Sequence, residues 1–76
     1  MDRKYLDETL KALDHTIKLA PTDPKLYYNK ALILESMSKK DEEINLLKTA
    51  LNLKPNYLEA QATLDEATQS AKTANP

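Results

Sequence analysis

An all-α fold is predicted by three observations. The chain contains no glycine and no valine, whereas leucine and alanine recur throughout, a composition that favours helix and gives a β-sheet little to build on. Breakers divide it into four segments of helix length: Pro21 and Pro24 bracket one break, the polar run Ser38-Lys39-Lys40 makes a second, and Pro55-Asn56 a third. Between the breaks, apolar residues recur at the three- and four-residue spacing of amphipathic helices.

In the first segment, Leu6, Leu10, Leu13 and Ile17 share one helix face and Asp7, Lys11, Asp14 and Lys18 share the polar one, which predicts a helix over 3–20. Asp23-Pro24 reads as an N-cap followed by proline at the first helical position, where the missing N–H costs nothing. A second helix follows, running through Tyr27, Ala31 and Leu34 to Met37. Ser38, with Asp41 three residues later, resembles a capping box with Asp in place of Glu. It is expected to open a third helix, with the stripe Ile44, Leu47, Ala50 and Leu51, closed by Lys54-Pro55. Asn56 with Glu59 repeats the capping pattern ahead of a fourth helix from Tyr57 to Ala71, and residues 72–76 are expected to fray.

With 76 residues and 8.6 kDa the chain makes one small domain. A core of this size supplies roughly 3–5 kcal/mol, and with no cysteine no disulfide can add to it. The 11 basic and 12 acidic residues are interspersed and give a net charge of -1, so neither nucleic acid nor a membrane surface is an expected partner. No apolar stretch is long enough for a membrane span, and MDRKYLDETL is too acidic and too interrupted for a signal peptide, which makes a soluble, cytoplasmic protein the expectation.

A single histidine and no cysteine leave no thiol nucleophile, no Cys/His zinc site and no histidine pair. No enzyme activity, cofactor or metal is therefore expected. His15 lies beside Lys11 and Lys18 as a solvated surface residue. Asp41-Glu42-Glu43 falls in the first turn of a helix, where acidic residues meet the dipole and cap, a more economical reading than acid–base catalysis. Asp65-Glu66 has no histidine near it in sequence, and Lys39-Lys40 is too small a basic patch for nucleic acid.

An internal repeat carries the functional reading. When Tyr5–Pro21 is laid over Lys39–Pro55, five of the 17 pairs are identical: Asp7/Asp41, Glu8/Glu42, Leu13/Leu47, Leu19/Leu53 and Pro21/Pro55. Leu10/Ile44 and Ile17/Leu51 keep the apolar stripe in register. A period of about 34 residues holding two helices resembles the tetratricopeptide repeat family. Across the complete unit, Pro24 to Tyr57, the family's opening aromatic falls on Tyr27, its small residue on Ala31 and its second aromatic position on Leu34. In the unit's second helix the large apolar position is Leu47, the small one Ala50 and the closing proline Pro55.

The sequence departs from that pattern at Lys30, where the family usually has Leu, and at Glu43, where a small Ala lets the helices approach. Both side chains are expected to snorkel outward, or the helix pair to pack more loosely. Helix four carries Gln61 for the aromatic and Asp65 for the small residue, a polarity suited to a terminal capping helix.

The resemblance implies a short right-handed solenoid of antiparallel helix hairpins. Its units would be the second helix of one repeat (3–20), a full repeat (24–54) and a capping helix (57–71). It also implies a protein-interaction module whose groove-facing positions are Lys25, Tyr28, Asn29, Leu32, Glu35 and Ser36, with Glu59, Ala62, Thr63, Glu66 and Gln69 from the last helix. Tyr28 is either the groove's anchor or a packing residue against helix one. A carboxylate clamp of the kind some family members carry has only Asn29 in place here, while Glu59 and Glu66 favour a neutral or basic peptide partner. The first helix lacks its usual neighbour, and Thr9 and Thr16 on that flank reflect either adaptation to solvent or drift. Another copy could cover the flank 5–19 as a homodimer. The alternative function is thus a structural or designed self-assembling unit.

Overall fold

The computed structural model describes residues 3–73, with side chains from Lys4 to Gln69. Four helices follow one another: α1 (Arg3–Leu19), α2 (Pro24–Ser36), α3 (Lys40–Leu53) and α4 (Leu58–Thr73). Among the described residues there is no strand. The expected ends shift by a residue or two, and α4 continues through Lys72 and Thr73, where fraying is expected from sequence. The rest of the expected frayed tail, 74–76, lies outside the described residues.

The start of α2 follows the expectation. Asp23 is extended at φ -89°, its carboxylate accepts the Lys25 N–H at 3.1 Å, and Pro24 occupies the first turn. The Tyr27 hydroxyl donates to the Pro21 carbonyl at 2.7 Å and ties this turn to the helix it precedes.

The α2–α3 connection corrects the sequence reading. Ser38 caps nothing by its side chain; it adopts φ 61°, and the residue preceding α3 is Lys39, which makes no side-chain capping bond. Lys39 N–H donates to the Leu34 carbonyl at 2.9 Å and Ser38 N–H to the Glu35 carbonyl at 3.0 Å, the paired bonds of a Schellman turn closing α2. Such a turn needs a left-handed residue, a position glycine usually fills, and in a chain without glycine serine takes it. Asp41, Glu42 and Glu43 do lie in the first turn of α3, but as dipole partners and not as caps. The second capping expectation also moves. Because α4 begins at Leu58 and the Gln61 N–H bonds to the Tyr57 carbonyl at 3.0 Å, Tyr57 and not Asn56 is the capping position.

The backbone repeats at the displacement seen in the sequence. Ala20 N–H donates to the Thr16 carbonyl at 2.9 Å and Asp23 N–H to the Ala20 carbonyl at 3.2 Å. At the equivalent positions one repeat later, Lys54 N–H donates to the Ala50 carbonyl at 2.9 Å and Tyr57 N–H to the Lys54 carbonyl at 3.1 Å. The two turns thus share these bonds and differ at the helix they enter, where Leu26 N–H donates to the Asp23 carbonyl at 3.2 Å in the first and Gln61 N–H to the Tyr57 carbonyl at 3.0 Å in the second.

Packing runs along the chain. The most extensive contact is α2 with α3, then α3 with α4, then α1 with α2. One core cluster joins Ala31 of α2, Leu47 and Ala50 of α3, Tyr57, and Ala60 of α4, all buried. Leu34 and Ala67 are buried as well, and Tyr27, Tyr28, Leu46, Leu51 and Leu64 close around the cluster. On α1 the stripe Leu6, Leu10, Leu13 and Ile17 is only half-buried, and among the described residues α1 supplies no fully buried side chain. A salt bridge of 2.6 Å from Lys30 to Asp14 joins α2 to α1, so Lys30 reaches outward as expected and finds a partner there.

Candidate interaction surface

Of the expected groove residues on α2, Lys25, Asn29, Glu35 and Ser36 are exposed, whereas Tyr28 and Leu32 are half-buried. On α4, Glu59, Ala62, Glu66 and Gln69 are exposed and Thr63 is half-buried. Two hydroxyls are turned back on their own helices: Ser36 donates to the Leu32 carbonyl at 3.3 Å and Thr63 to the Glu59 carbonyl at 2.9 Å.

Tyr28 is where the two sets of residues meet. Its ring lies 5.3 Å from that of Tyr57 at 50°, a tilted aromatic pair, and it packs on the core cluster that also holds Ala60 of α4. The packing partner expected for Tyr28 is helix one; the ring it meets is Tyr57, immediately before α4. In sequence Tyr57 reads only as the start of a helix. It is buried to 7% exposure, the most buried aromatic of the chain, with the Lys54 ammonium 5.0 Å from its ring centroid. Burial raises the Tyr57 hydroxyl pKa, with smaller contributions from Glu59, Tyr28 and Asp23. The phenol is thereby held neutral.

Charge on this surface is mostly acidic. Lys25 is opposed by Glu35, Glu59 and Glu66, all exposed. The outer residues Gln61 and Asp65 of α4 are also exposed and bond to each other at 3.0 Å.

A separate feature lies at the α2–α3 turn. An open depression of about 390 Å³ is lined by Ser38, Lys39, Lys40, Asp41 and Glu42 and includes none of the groove positions. Two lysines are followed by two acids and no hydrophobic residue lines it, unlike the pockets that take small ligands.

Glu43, the next residue, overturns the snorkelling expectation. Its side chain is fully buried, neither carboxylate oxygen makes a well-formed hydrogen bond among the described residues, and its polar neighbours are Lys40 at 3.8 Å and the Glu35 carboxylate. Burial raises its pKa first, then the charge of Glu35, against the lowering effect of Lys40. α2 and α3 nevertheless form the most extensive contact of the fold. His15 is exposed, and among the described residues no three His, Asp or Glu side chains gather as a metal would require. No described helix is long and apolar enough to cross a membrane.

No protein-family model matches this chain, and no curated protein matches it.

Proposed function

We propose that the chain is a short tetratricopeptide-like solenoid of helix hairpins that serves as a protein-interaction module, holding a neutral or basic peptide or helix between α2 and α4. The two turns, which share a pair of backbone bonds one repeat apart, support the architecture. So does packing that is dominated by consecutive helices. The extent of 15 Å along the thinnest axis agrees with two helix layers about 8–10 Å apart.

The observation that carries the binding reading is the Tyr28–Tyr57 pair. Two rigid aromatic rings join the helix carrying Leu32 to the turn leading into Ala62 and Glu66, and the Tyr28 side chain stays partly open to solvent. A half-open aromatic platform with Glu59 and Asp23 near Tyr57, and the Lys54 ammonium already over one ring, suits a peptide with one apolar anchor and flanking Lys or Arg to meet the carboxylates. No catalytic role attaches to any residue of this surface.

The test is a titration of isotopically labelled protein, followed by NMR, with two pools of ten-residue peptides: Lys/Arg-rich with one Leu or Phe, and the same pool with Glu replacing the bases. Amide shifts at Asn29, Leu32, Ala62 and Glu66 with the basic pool alone support the groove. Replacing Tyr28 and Leu32 together by Ala should abolish those shifts while largely preserving helicity. Equal affinity after that change, or shifts confined to α1, would refute it.

A further inference from the structure

A second surface lies away from this groove, on the outer side of α1. At about 100° per residue, Tyr5, Thr9, Ala12, Thr16 and Leu19 fall in one strip beside the half-buried stripe that faces α2. Tyr5 is 69% and Leu19 74% exposed, Ala12 and Thr16 are exposed, and Thr9 is half-buried. Such a strip can be dried at little cost. The Thr9 and Thr16 hydroxyls already donate to the Tyr5 and Ala12 carbonyls of their own helix at 2.9 Å, so neither needs water to be satisfied. Small side chains at Thr9, Ala12 and Thr16 let another helix approach closely. The equivalent face of α3 is covered by a neighbouring helix, since Glu43 and Ala50, the counterparts of Thr9 and Thr16 one repeat later, are fully buried.

We propose that the occupant is α1 of a second copy, packed antiparallel about a two-fold axis through Ala12. The strip is self-complementary about that residue. Tyr5 precedes Ala12 by seven positions and Leu19 follows it by seven, so the antiparallel pairing sets Tyr5 against the partner's Leu19 and Leu19 against the partner's Tyr5. Along the open edge, exposed Glu8 comes within one position of the partner's His15, and His15 of the partner's Glu8, so that edge brings no like charges together. Lys4 and Lys11 lie about 100° or more from the centre of the strip, outside the contact. An unrelated helix could cover an apolar face, but it would not call for matched ends and charges about one residue. This inference is independent of the groove between α2 and α4.

The experiment measures mass by light scattering on the whole chain between about 10 μM and about 1 mM, the range in which a single helix pair associates. The mass should rise from 8.6 kDa toward twice that value. Ala12→Glu sets two carboxylates against each other at the axis and should hold the protein monomeric with unchanged circular dichroism, because Ala12 is exposed in the single chain. The chain has no cysteine, so Ala12→Cys should form one disulfide-linked dimer under mild oxidation. Glu8→Cys and Thr16→Cys chains should cross-link to each other when mixed and poorly to themselves. A parent that stays at 8.6 kDa throughout, an Ala12→Glu dimer as tight as the parent's, or self-linking by Glu8→Cys would each overturn the proposal.

Discussion

Replacing Glu43 by methionine should stabilise this protein, an unusual outcome for a change at a fully buried position. The carboxylate sits between α2 and α3 with no well-formed hydrogen bond among the described residues and with the like charge of Glu35 nearby, and a buried group in that state costs about 1–3 kcal/mol, more when charged. Lys40, at 3.8 Å and 39% exposed, returns at most about 1 kcal/mol. An unbranched apolar side chain of similar length keeps the volume and removes the desolvated charge, for a net gain of about 1–3 kcal/mol at neutral pH. In a domain of this size that corresponds to a melting temperature about 5–20 °C higher.

The pH dependence supplies the control. The Glu43 pKa is raised above its ordinary 4.5, so between those two values the folded state binds more protons than the unfolded one. The part of the parent's penalty that comes from ionisation is therefore absent below about pH 4.5, grows as pH rises and is complete above the folded-state pKa. Thermal melts from pH 4 to pH 8 should show the advantage of Glu43→Met largest at the alkaline end and narrowing on acidification. Glu43→Gln should lose the same slope while keeping the polar atoms. A methionine variant no more stable than the parent at pH 7, or an advantage that widens on acidification, would refute the reasoning.

Two further substitutions probe the fold from opposite sides. Ser38→Gly should raise stability by about 0.5–1 kcal/mol, the left-handed strain at φ 61° less the added freedom of the unfolded chain, visible as a higher urea midpoint at unchanged slope. Leu47→Ala should cost about 2–5 kcal/mol, most of what so small a core supplies, so circular dichroism at 25 °C should show extensive loss of helix.

The helices, their breaks and the α2–α3 core are legible in sequence because Ala31, Leu34, Leu47 and Ala50 recur at helical spacing, and all four are buried. Other features are hidden for separate physical reasons. Glu43 reads as solvent-exposed by its charge, and only its place at a usually small position signals the burial found there. Ser38 offers a side-chain cap in sequence, yet the backbone needs a left-handed residue at that point and no glycine is present to mark it. On α4 the buried Ala60 and Ala67, with half-buried Leu64 between them, follow a clear three- and four-residue spacing. Comparison with α2 draws attention instead to Gln61 and Asp65 on the other face. Tyr57 escapes sequence reasoning because a residue at the mouth of a turn gives no periodic signal. Its burial comes from Tyr28 and Lys54, which only the fold brings to it.

The predominance of contact between consecutive helices has a kinetic consequence. Most pairings need not wait for distant parts of the chain to meet, because each helix closes onto the next through a connection of only a few residues. Such a topology has low contact order, and chains of that kind fold in microseconds to milliseconds. The α2–α3 hairpin, with the most extensive contact, is the natural nucleus, and α4 and α1 add to its two sides. Since α1 contributes no fully buried side chain among the described residues, it can undock while the rest stays folded, and its amides should exchange with solvent orders of magnitude faster than those around Leu47 and Ala50.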